Sequence, residues 1–210
     1  MPVASTRPMS GAPVQPYPVA AREPMRATLL DALREELRVT PWPDVTMAAV
    51  ARAAGVSRQT LYNEFGSRGD LAQACVLREV DRFLESVEAA VTVHATDPVG
   101  ALAAAFEVFF VAADENPVVR QVVAADGSGD ELLALITTQG GPVLGRATER
   151  LAAFLAAGWP QLSATDVGLL SETVVRLAIS YLTLPSGDSQ VSGEAVARLL
   201  GPYVERALAE

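Results

Sequence analysis

The 210-residue sequence predicts an all-α fold, and three features of the sequence indicate this class. Ala, Leu and Arg, which favour helices, are abundant, whereas the alternation of apolar and polar residues that indicates strands is hard to find. Apolar residues recur instead at helical spacing, and stretches of this kind begin at Ser, Thr, Asp or Asn, the preferred helix N-caps. Half of the residues are hydrophobic, so the chain can bury a full core.

Composition and charge divide the chain into three parts. Residues 1–22 are rich in Pro and small residues and predict a flexible tail. Residues 23–70 are expected to form one helical domain, and residues 71–210 a second. Residues 1–70 carry eight Arg and seven Asp or Glu, a net charge of +1, whereas the remainder carries −10. A strongly acidic C-terminal body would be repelled by phosphate, so any contact with nucleic acid is expected from the N-terminal part.

The first predicted helix begins near Glu23, where Pro24 suits a first helical turn. Leu29, Leu30, Leu33 and Leu37 then form the apolar stripe of an amphipathic helix. Pro41 and Pro43 follow and forbid its continuation.

Residues 46–70 predict a helix-turn-helix followed by a third helix start. Thr46 is placed to cap a helix over residues 47–54, which Gly55 ends. Ser57 caps a second helix over residues 58–65, which Gly66 ends, and Ser67 with Asp70 forms a capping box for the next. Caps and stop glycines this close together, around a turn of three to four residues, are typical of a helix-turn-helix.

The remaining sequence also predicts helices, separated by Gly- and Pro-containing breaks. The expected spans are about 68–93, 98–113, 117–125, 130–157 with a kink or split at 140–142, 163–184 and 192–208, with loops at 126–129 and 185–188. This brings the expected total to about nine or ten helices.

The second helix of a helix-turn-helix lies in the major groove of DNA, and its residues here have the chemistry for that position. Arg58 can fork onto guanine and Gln59 onto adenine, and Thr60 suits a base methyl group or a phosphate. Tyr62 and Asn63 have donors for phosphate. The helix starts at Thr46, Ser67 and Arg68 offer further phosphate-binding groups. A three-helix packing unit without a DNA partner remains the alternative.

The order Ala-x-x-Ala-Gly-Val-Ser, then Thr-Leu-Tyr-x-x-Phe-x-Ser-Arg-x-x-Leu, over residues 51–71 resembles the DNA-binding signature of the TetR family. The resemblance implies an all-α homodimer with an N-terminal three-helix DNA-binding domain and a C-terminal ligand-binding and dimerisation domain. It implies phosphate contacts by Thr46, Tyr62 and Arg68, and recognition-helix contacts by Ser57, Arg58, Gln59 and Asn63. The Pro-rich turn before Thr46, Arg68 in place of the commoner Lys, and Gly69 depart from the family pattern.

In the second domain, residues 101–113 are apolar on nearly every side, which predicts a central helix. Phe106, Phe109 and Phe110 either pack in the core or line a ligand cavity. The candidate polar anchors of such a cavity are Arg120, Gln121, Thr137 and Gln139. The body resembles actinobacterial family members linked to lipid or alkane metabolism, so a small apolar effector of a lipid or acyl-chain-like type is expected.

The last two long helices are expected to pair with their copies in a homodimer. Residues on one face of each helix are the candidates, although burial within one subunit explains the same stripes. They are Leu169, Thr173, Arg176, Leu177, Ser180, Tyr181 and Leu184 on the first helix, and Val196, Leu199, Leu200 and Tyr203 on the second.

Other classes of protein find less support in the sequence. No catalytic triad order, metal-ligand cluster or phosphate-binding Gly-rich loop is visible, so we expect no enzyme activity, metal or cofactor. His94 is expected at the surface, and Cys75 in the core. No apolar run predicts a membrane span, and a lone Cys suits the cytoplasm. The sequence favours a transcriptional repressor that binds double-stranded operator DNA and is released by its effector; a helical protein-interaction module with a vestigial DNA-binding head is the alternative.

Overall fold

The structure, a computed structural model, describes residues 19–124, 130–184 and 192–209. Within these residues the chain forms ten α-helices, one short 3₁₀ turn and no strand, which confirms the expected all-α class. The helices are α1 (Val19–Glu36), α2 (Met47–Ala53), α3 (Arg58–Phe65), α4 (Arg68–Thr92), α5 (Pro98–Glu115), α6 (Pro117–Val122), α7 (Asp130–Ile136), α8 (Gly141–Gly158), α9 (Ala164–Thr183) and α10 (Gly193–Ala209).

Helices α1 to α3 form the head, and the boundaries of α2 and α3 follow the predicted caps closely. The side chains of Thr46 and Ser57 cap α2 and α3, and Gly55 and Gly66 follow these helices with φ of 69° and 78°. Only glycine adopts such left-handed conformations without strain. Helix α1 differs from the prediction, because it already includes residues 19–22 of the expected tail and encloses Pro24.

Helix α4 joins the head to the body and, at 25 residues, is about 37 Å long. Its first turns belong to the same hydrophobic core as the head, since Leu71 and Cys75 pack with Leu33 and Leu61. That core continues into α6 and α7 through Val118 and Leu132. Head and body are therefore joined by shared packing as well as by one continuous helix.

In the body, α5 lies between α4 and α10, and α8 packs on both α4 and α9. Helix α5 thus packs on two helices, but it is not enclosed on all sides as its apolar sequence predicts, because Val111 is 56% exposed and most of its other described residues are half-buried. The predicted break at residues 140–142 is a true split between α7 and α8. The tail residues 1–18 and the predicted loops at 126–129 and 185–188 lie outside the described residues. Across the described ranges, no helix is both long and apolar enough to cross a lipid bilayer.

Candidate DNA-binding surface and internal cavity

Helix α3 is held on the head by its apolar side and presents a polar side to solvent. Leu61 is fully buried and Phe65 nearly so. Arg58, Gln59, Tyr62 and Asn63 are exposed, and with Thr60 half-buried they cover the outer face. A short helix with one face anchored in a core can offer the other to a ligand without changing shape.

Several predicted DNA contacts already bond to one another across this face. Gln59 Nε2 donates to Asn63 Oδ1 at 2.8 Å, and the hydroxyls of Ser57 and Thr60 lie 2.8 Å apart. Within the described part of the chain, the Arg58 guanidinium has no hydrogen bond or ion pair. Arg58 is therefore the cation of α3 that is free to meet an anionic partner.

Thr46 and Ser67 both lie at exposed helix starts, as predicted. Thr46 Oγ1 accepts from the backbone N–H of Ala49 at 3.1 Å. Ser67 Oγ accepts from the Asp70 N–H at 3.0 Å and donates to the Asp70 carboxylate at 2.6 Å. Since their side chains are engaged in capping, these residues supply an ordered helix N-terminus to the surface.

Arg68, predicted as a phosphate contact, instead lies at the junction between the head and the body. Its guanidinium stacks 3.9 Å from the centre of the Trp42 ring and donates to the carbonyl oxygens of Trp42 and Val45. Its remaining nitrogen donates to Glu131 at 3.0 Å. Each nitrogen thus donates one hydrogen bond within the protein, which uses three of the five N–H donors and holds the 32% exposed side chain at the junction.

Glu64 is compensated by two arginines that the sequence did not single out as its partners. Arg22 and Arg26 of α1 lie 2.9 and 3.0 Å from its two carboxylate oxygens, and Arg26 also lies 4.4 Å from the centre of the Phe65 ring. These contacts neutralise the one acidic side chain of α3 and bring the first turns of α1 beside the candidate DNA-binding helix.

An apolar cavity of about 170 Å³ lies in the body between α4, α5, α6, α7, α8 and α9. Phe106 and Phe109 line it, as the sequence suggested. Its described lining residues are apolar except Glu79 and Asn116. The cavity is therefore suited to a ligand that is mostly hydrocarbon.

The other predicted cavity residues lie elsewhere. Phe110 packs against Tyr181, with 6.0 Å between ring centroids, and does not line the cavity. Gln121 bonds the backbone of Trp42 and Leu37, because α6 turns its valines towards the cavity and its polar residues away. The exposed side chains of the other three predicted anchors also lie outside the lining: Arg120, Thr137 and Gln139.

Glu79 was missed by sequence reasoning, although it falls on the inward stripe of α4. It is 6% exposed, and its carboxylate accepts from Arg34 at 3.2 Å, Arg82 at 2.8 Å and Asn116 Nδ2 at 2.7 Å. A buried carboxylate needs such partners to offset its desolvation. The signal available in the sequence was a charged residue on one helical stripe with the apolar Val76 and Phe83, at i, i+3 and i+7.

A hydrogen-bonded junction connects the cavity wall to the head through α6 and α7. The Trp42 backbone N–H donates to Gln121 at 3.1 Å, and Trp42 Nε1 donates to Glu131 at 2.7 Å. Val118 and Ile136, on the same two helices, line the cavity. A ligand that displaced α6 or α7 would therefore act directly on the contacts of Trp42 and Arg68.

The predicted dimer faces are partly open and partly buried in the subunit. Leu169 and Leu199 are 53% and 72% exposed, and Leu184 is 73% exposed. Val196 is only 2% exposed, so its assignment to the interface is wrong in this structure: it faces inward where α10 packs on α5. Of the remaining residues, Arg176 and Ser180 are exposed, and the following are half-buried: Thr173, Leu177, Tyr181, Leu200 and Tyr203.

Two protein-family descriptions match this chain. Residues 29–75 match "Bacterial regulatory proteins, tetR family", and residues 97–202 match "Bacterial Tetracyclin repressor, C-terminal domain". The first range contains the helix-turn-helix, and the second contains most of the helices that enclose the cavity.

Whole-chain relatives agree with both matches. The chain is 39% identical to the HTH-type transcriptional regulator AlkX of Mycobacterium tuberculosis, with 96% of each chain covered. Among solved structures, it resembles the TetR family repressor AlkX of Dietzia sp. strain DQ12-45-1b, implicated in biodegradation of n-alkanes, at a TM-score of 0.78 and 33% identity, over 87% of this chain and 96% of that one. A TetR-family regulator of Pectobacterium atrosepticum shares the fold, with a TM-score of 0.61, 19% identity, and 90% and 94% coverage.

Proposed function

This chain belongs to the TetR family of bacterial regulatory proteins, which are transcription regulators and not enzymes, and we propose that it is a homodimeric repressor released from operator DNA by a small apolar effector. The observation that carries the proposal is the polar outer face of α3, anchored by the buried Leu61 and Phe65. Because its target is chromosomal DNA, we place its action in the cytoplasm.

The proposed DNA contacts follow from the position of each side chain on the head. Arg58 and Gln59, at the start of α3, reach base edges, and Thr60 reaches a base methyl group or a phosphate. Tyr62 and Asn63, further along the exposed face, bind phosphate. The helix starts at Thr46 and Ser67 add backbone N–H groups and hydroxyls for the DNA backbone.

The proposed dimer uses the outer faces of α9 and α10. Exposed leucines at positions 169 and 199 support this choice, because large apolar side chains on both helices would be covered by a second copy. A two-fold dimer would present two α3 helices to half-sites about one helical turn of DNA apart.

The proposed effector binds the apolar cavity. The lining favours a hydrocarbon-rich molecule, and the link of the Dietzia relative to n-alkane biodegradation supports the same class. Cavity residues on α6 and α7 adjoin the junction of Trp42, Arg68 and Glu131, so an occupant that shifts these helices would change the position of the head. The effector then favours a conformation in which the distance between the two heads of the dimer does not fit the operator. The resulting loss of operator affinity is limited by the difference between the effector's affinities for this conformation and for the operator-binding one.

The test is fluorescence anisotropy with DNA from upstream of the gene and with a scrambled duplex, at two salt concentrations. We expect selective binding by the unmodified protein. Arg58→Ala should reduce selectivity, because each bidentate base contact contributes about 1 to 3 kcal/mol of discrimination. Tyr62→Phe should weaken binding to both duplexes more evenly and leave the salt dependence unchanged, since it removes a hydrogen bond but no charge.

The same experiment separates the repressor from a protein-interaction module with a vestigial head. If binding is unselective on every upstream fragment, and a genome-wide pull-down also recovers no preferred sequence, the repressor proposal is wrong. Each variant is first compared with the unmodified protein by circular dichroism, so that a loss of folding is not mistaken for a loss of DNA binding.

A further inference from the structure

A second apolar cavity of about 70 Å³ lies in the body beyond the first. Helices α4, α5, α8, α9 and α10 and the turn after α8 enclose it, with Trp159 and Leu208 among its walls. Its described lining residues are all apolar. The second cavity therefore provides no polar group for the recognition of a ligand on its own.

The two cavities are neighbours, because four residues line both. They are Val87, Ala105, Leu151 and Val174, which we call the partition. These residues come from four different helices, and three of the four are only half-buried. Only apolar side chains are thus common to the two spaces, and the smallest is the methyl group of Ala105.

The polar groups of the first cavity lie at the end away from the partition. On α4, Glu79 precedes Val87 by two helical turns, about 12 Å, and Val91 of the second cavity lies about 6 Å further on. On α5, Ala105 precedes Asn116 by eleven residues, about 16 Å along a helix. The combined space is therefore elongated, with polar atoms at one end and hydrocarbon along the rest.

We infer that the effector is a linear alkyl chain that begins beside Glu79 and Asn116 and passes the partition into the second cavity. The inference rests on the proposed function for the identity of the site as an effector site. The two neighbouring spaces are separated only by apolar side chains, so a straight chain can occupy both once these side chains move aside, whereas a compact ring system of the same volume cannot. The end near Glu79 takes either a methyl group or a single terminal oxygen group.

The first test is a chain-length series of 1-alkanols, with binding measured by calorimetry on the full chain without DNA. Each methylene that enters an apolar space should tighten the dissociation constant by about fourfold. The gain should continue past the length that fills the first cavity. Ala105→Leu enlarges the smallest partition residue. In this variant the gain in affinity per methylene should stop at a shorter alkanol than in the unmodified protein, while short alkanols should bind with unchanged affinity.

Ala104→Leu is the matched control, because Ala104 neighbours Ala105 on α5 and lines neither cavity. It should keep the full length dependence. If unmodified protein and Ala105→Leu stop gaining affinity at the same length, the chain does not cross the partition and the inference is wrong. An alkane and a fatty acid of equal length, measured beside the alkanol, identify which terminal group the Glu79 end accepts.

The second test needs no change at the partition. Trp159 lines the second cavity, whereas Trp42 lies at the head junction. A long alkanol carrying bromine on its last carbon should quench Trp159 fluorescence, and a short one should not. The long-chain quenching should disappear in Trp159→Phe.

Absence of Trp159 quenching at saturation with the long chain would overturn the inference. Failure of the proposed function would look different. The alkyl ligand would then bind as expected in both tests but would leave the affinity of the protein for operator DNA unchanged.

Discussion

Arg68→Lys distinguishes the contact predicted from the sequence from the one found in the structure. As a phosphate contact, position 68 would tolerate Lys, because the charge is kept. In the structure, the guanidinium stacks on Trp42 and bonds two backbone carbonyl oxygens and Glu131, a geometry that a single ammonium group cannot reproduce. We therefore expect the substitution to reduce stability.

The size of the effect follows from the interactions that a lysine side chain cannot make at this position. Two hydrogen bonds to backbone carbonyls contribute about 1 kcal/mol each. The stacking on Trp42 adds about 0.5 to 1 kcal/mol at a partly exposed site. The ion pair with the half-exposed Glu131 is left out of the sum because such pairs contribute little. The total is about 2 to 3 kcal/mol, which lowers Tm by about 4 to 12 °C in a chain of this size.

Thermal unfolding followed by circular dichroism measures this, at a fixed protomer concentration because dimers unfold in a concentration-dependent way. Arg58→Lys is the matched control, since Arg58 is exposed and has no partner among the described residues; it should change stability by less than about 0.5 kcal/mol. If Arg68→Lys leaves Tm within about 1 °C of the unmodified protein, the stacked junction does not stabilise the fold and the reasoning fails.

Three further predictions concern a helix cap, the dimer and the thiol. Ser57→Ala removes the cap of α3 and should cost about 1 kcal/mol in denaturant unfolding. Leu199→Asp should raise the dimer dissociation constant more than about 100-fold in analytical ultracentrifugation, since two leucines leave the interface. Burial raises the pKa of Cys75 from 9.0 to about 12, so the native thiol should resist a disulfide reagent. Between pH 9.0 and about 12 the thiol is deprotonated in the unfolded protein but not in the folded protein. The free energy of unfolding should therefore fall by about 1.4 kcal/mol per pH unit as the pH rises through this range, and the fall should be smaller in Cys75→Ala.

Each of these predictions has a matched control. Ser86→Ala, at an exposed position within α4, should cost less than Ser57→Ala. Val39→Asp, at an exposed position on the head, should leave the dimer intact. If Leu199→Asp and Val39→Asp gave equal dimer dissociation constants, α10 would not form part of the dimer interface. Rapid reaction of Cys75 in the folded protein at neutral pH would contradict its burial.

The two helices of the helix-turn-helix could be predicted almost to the residue because their signals are local. The caps at Thr46, Ser57 and Ser67 act within three residues of themselves, and Gly55 and Gly66 end helices by their own backbone conformation. The same locality explains why the exposed face of α3 was found. A residue's neighbours one helical turn away decide which side it occupies.

Contacts between distant parts of the chain could not be predicted in this way. Glu131 is 63 residues from Arg68, and no periodic pattern connects the two. Val196 shares a stripe with Leu199, but the packing of α10 on α5 buries the first and leaves the second exposed. The sequence predicts polar cavity anchors in α6 and just after α7, whereas Glu79 on α4 holds that position, because the partner helices decide which face of a helix points inward.

The most direct test of the account is the thermodynamic link between the cavity and the operator. The operator dissociation constant is measured with and without a saturating long-chain alkanol, and the alkanol dissociation constant with and without operator DNA. We predict that each ligand weakens the other by the same factor, between about 5 and 150, because coupling between two sites is reciprocal. An alkanol that occupies the cavity and leaves the operator dissociation constant unchanged would contradict the account.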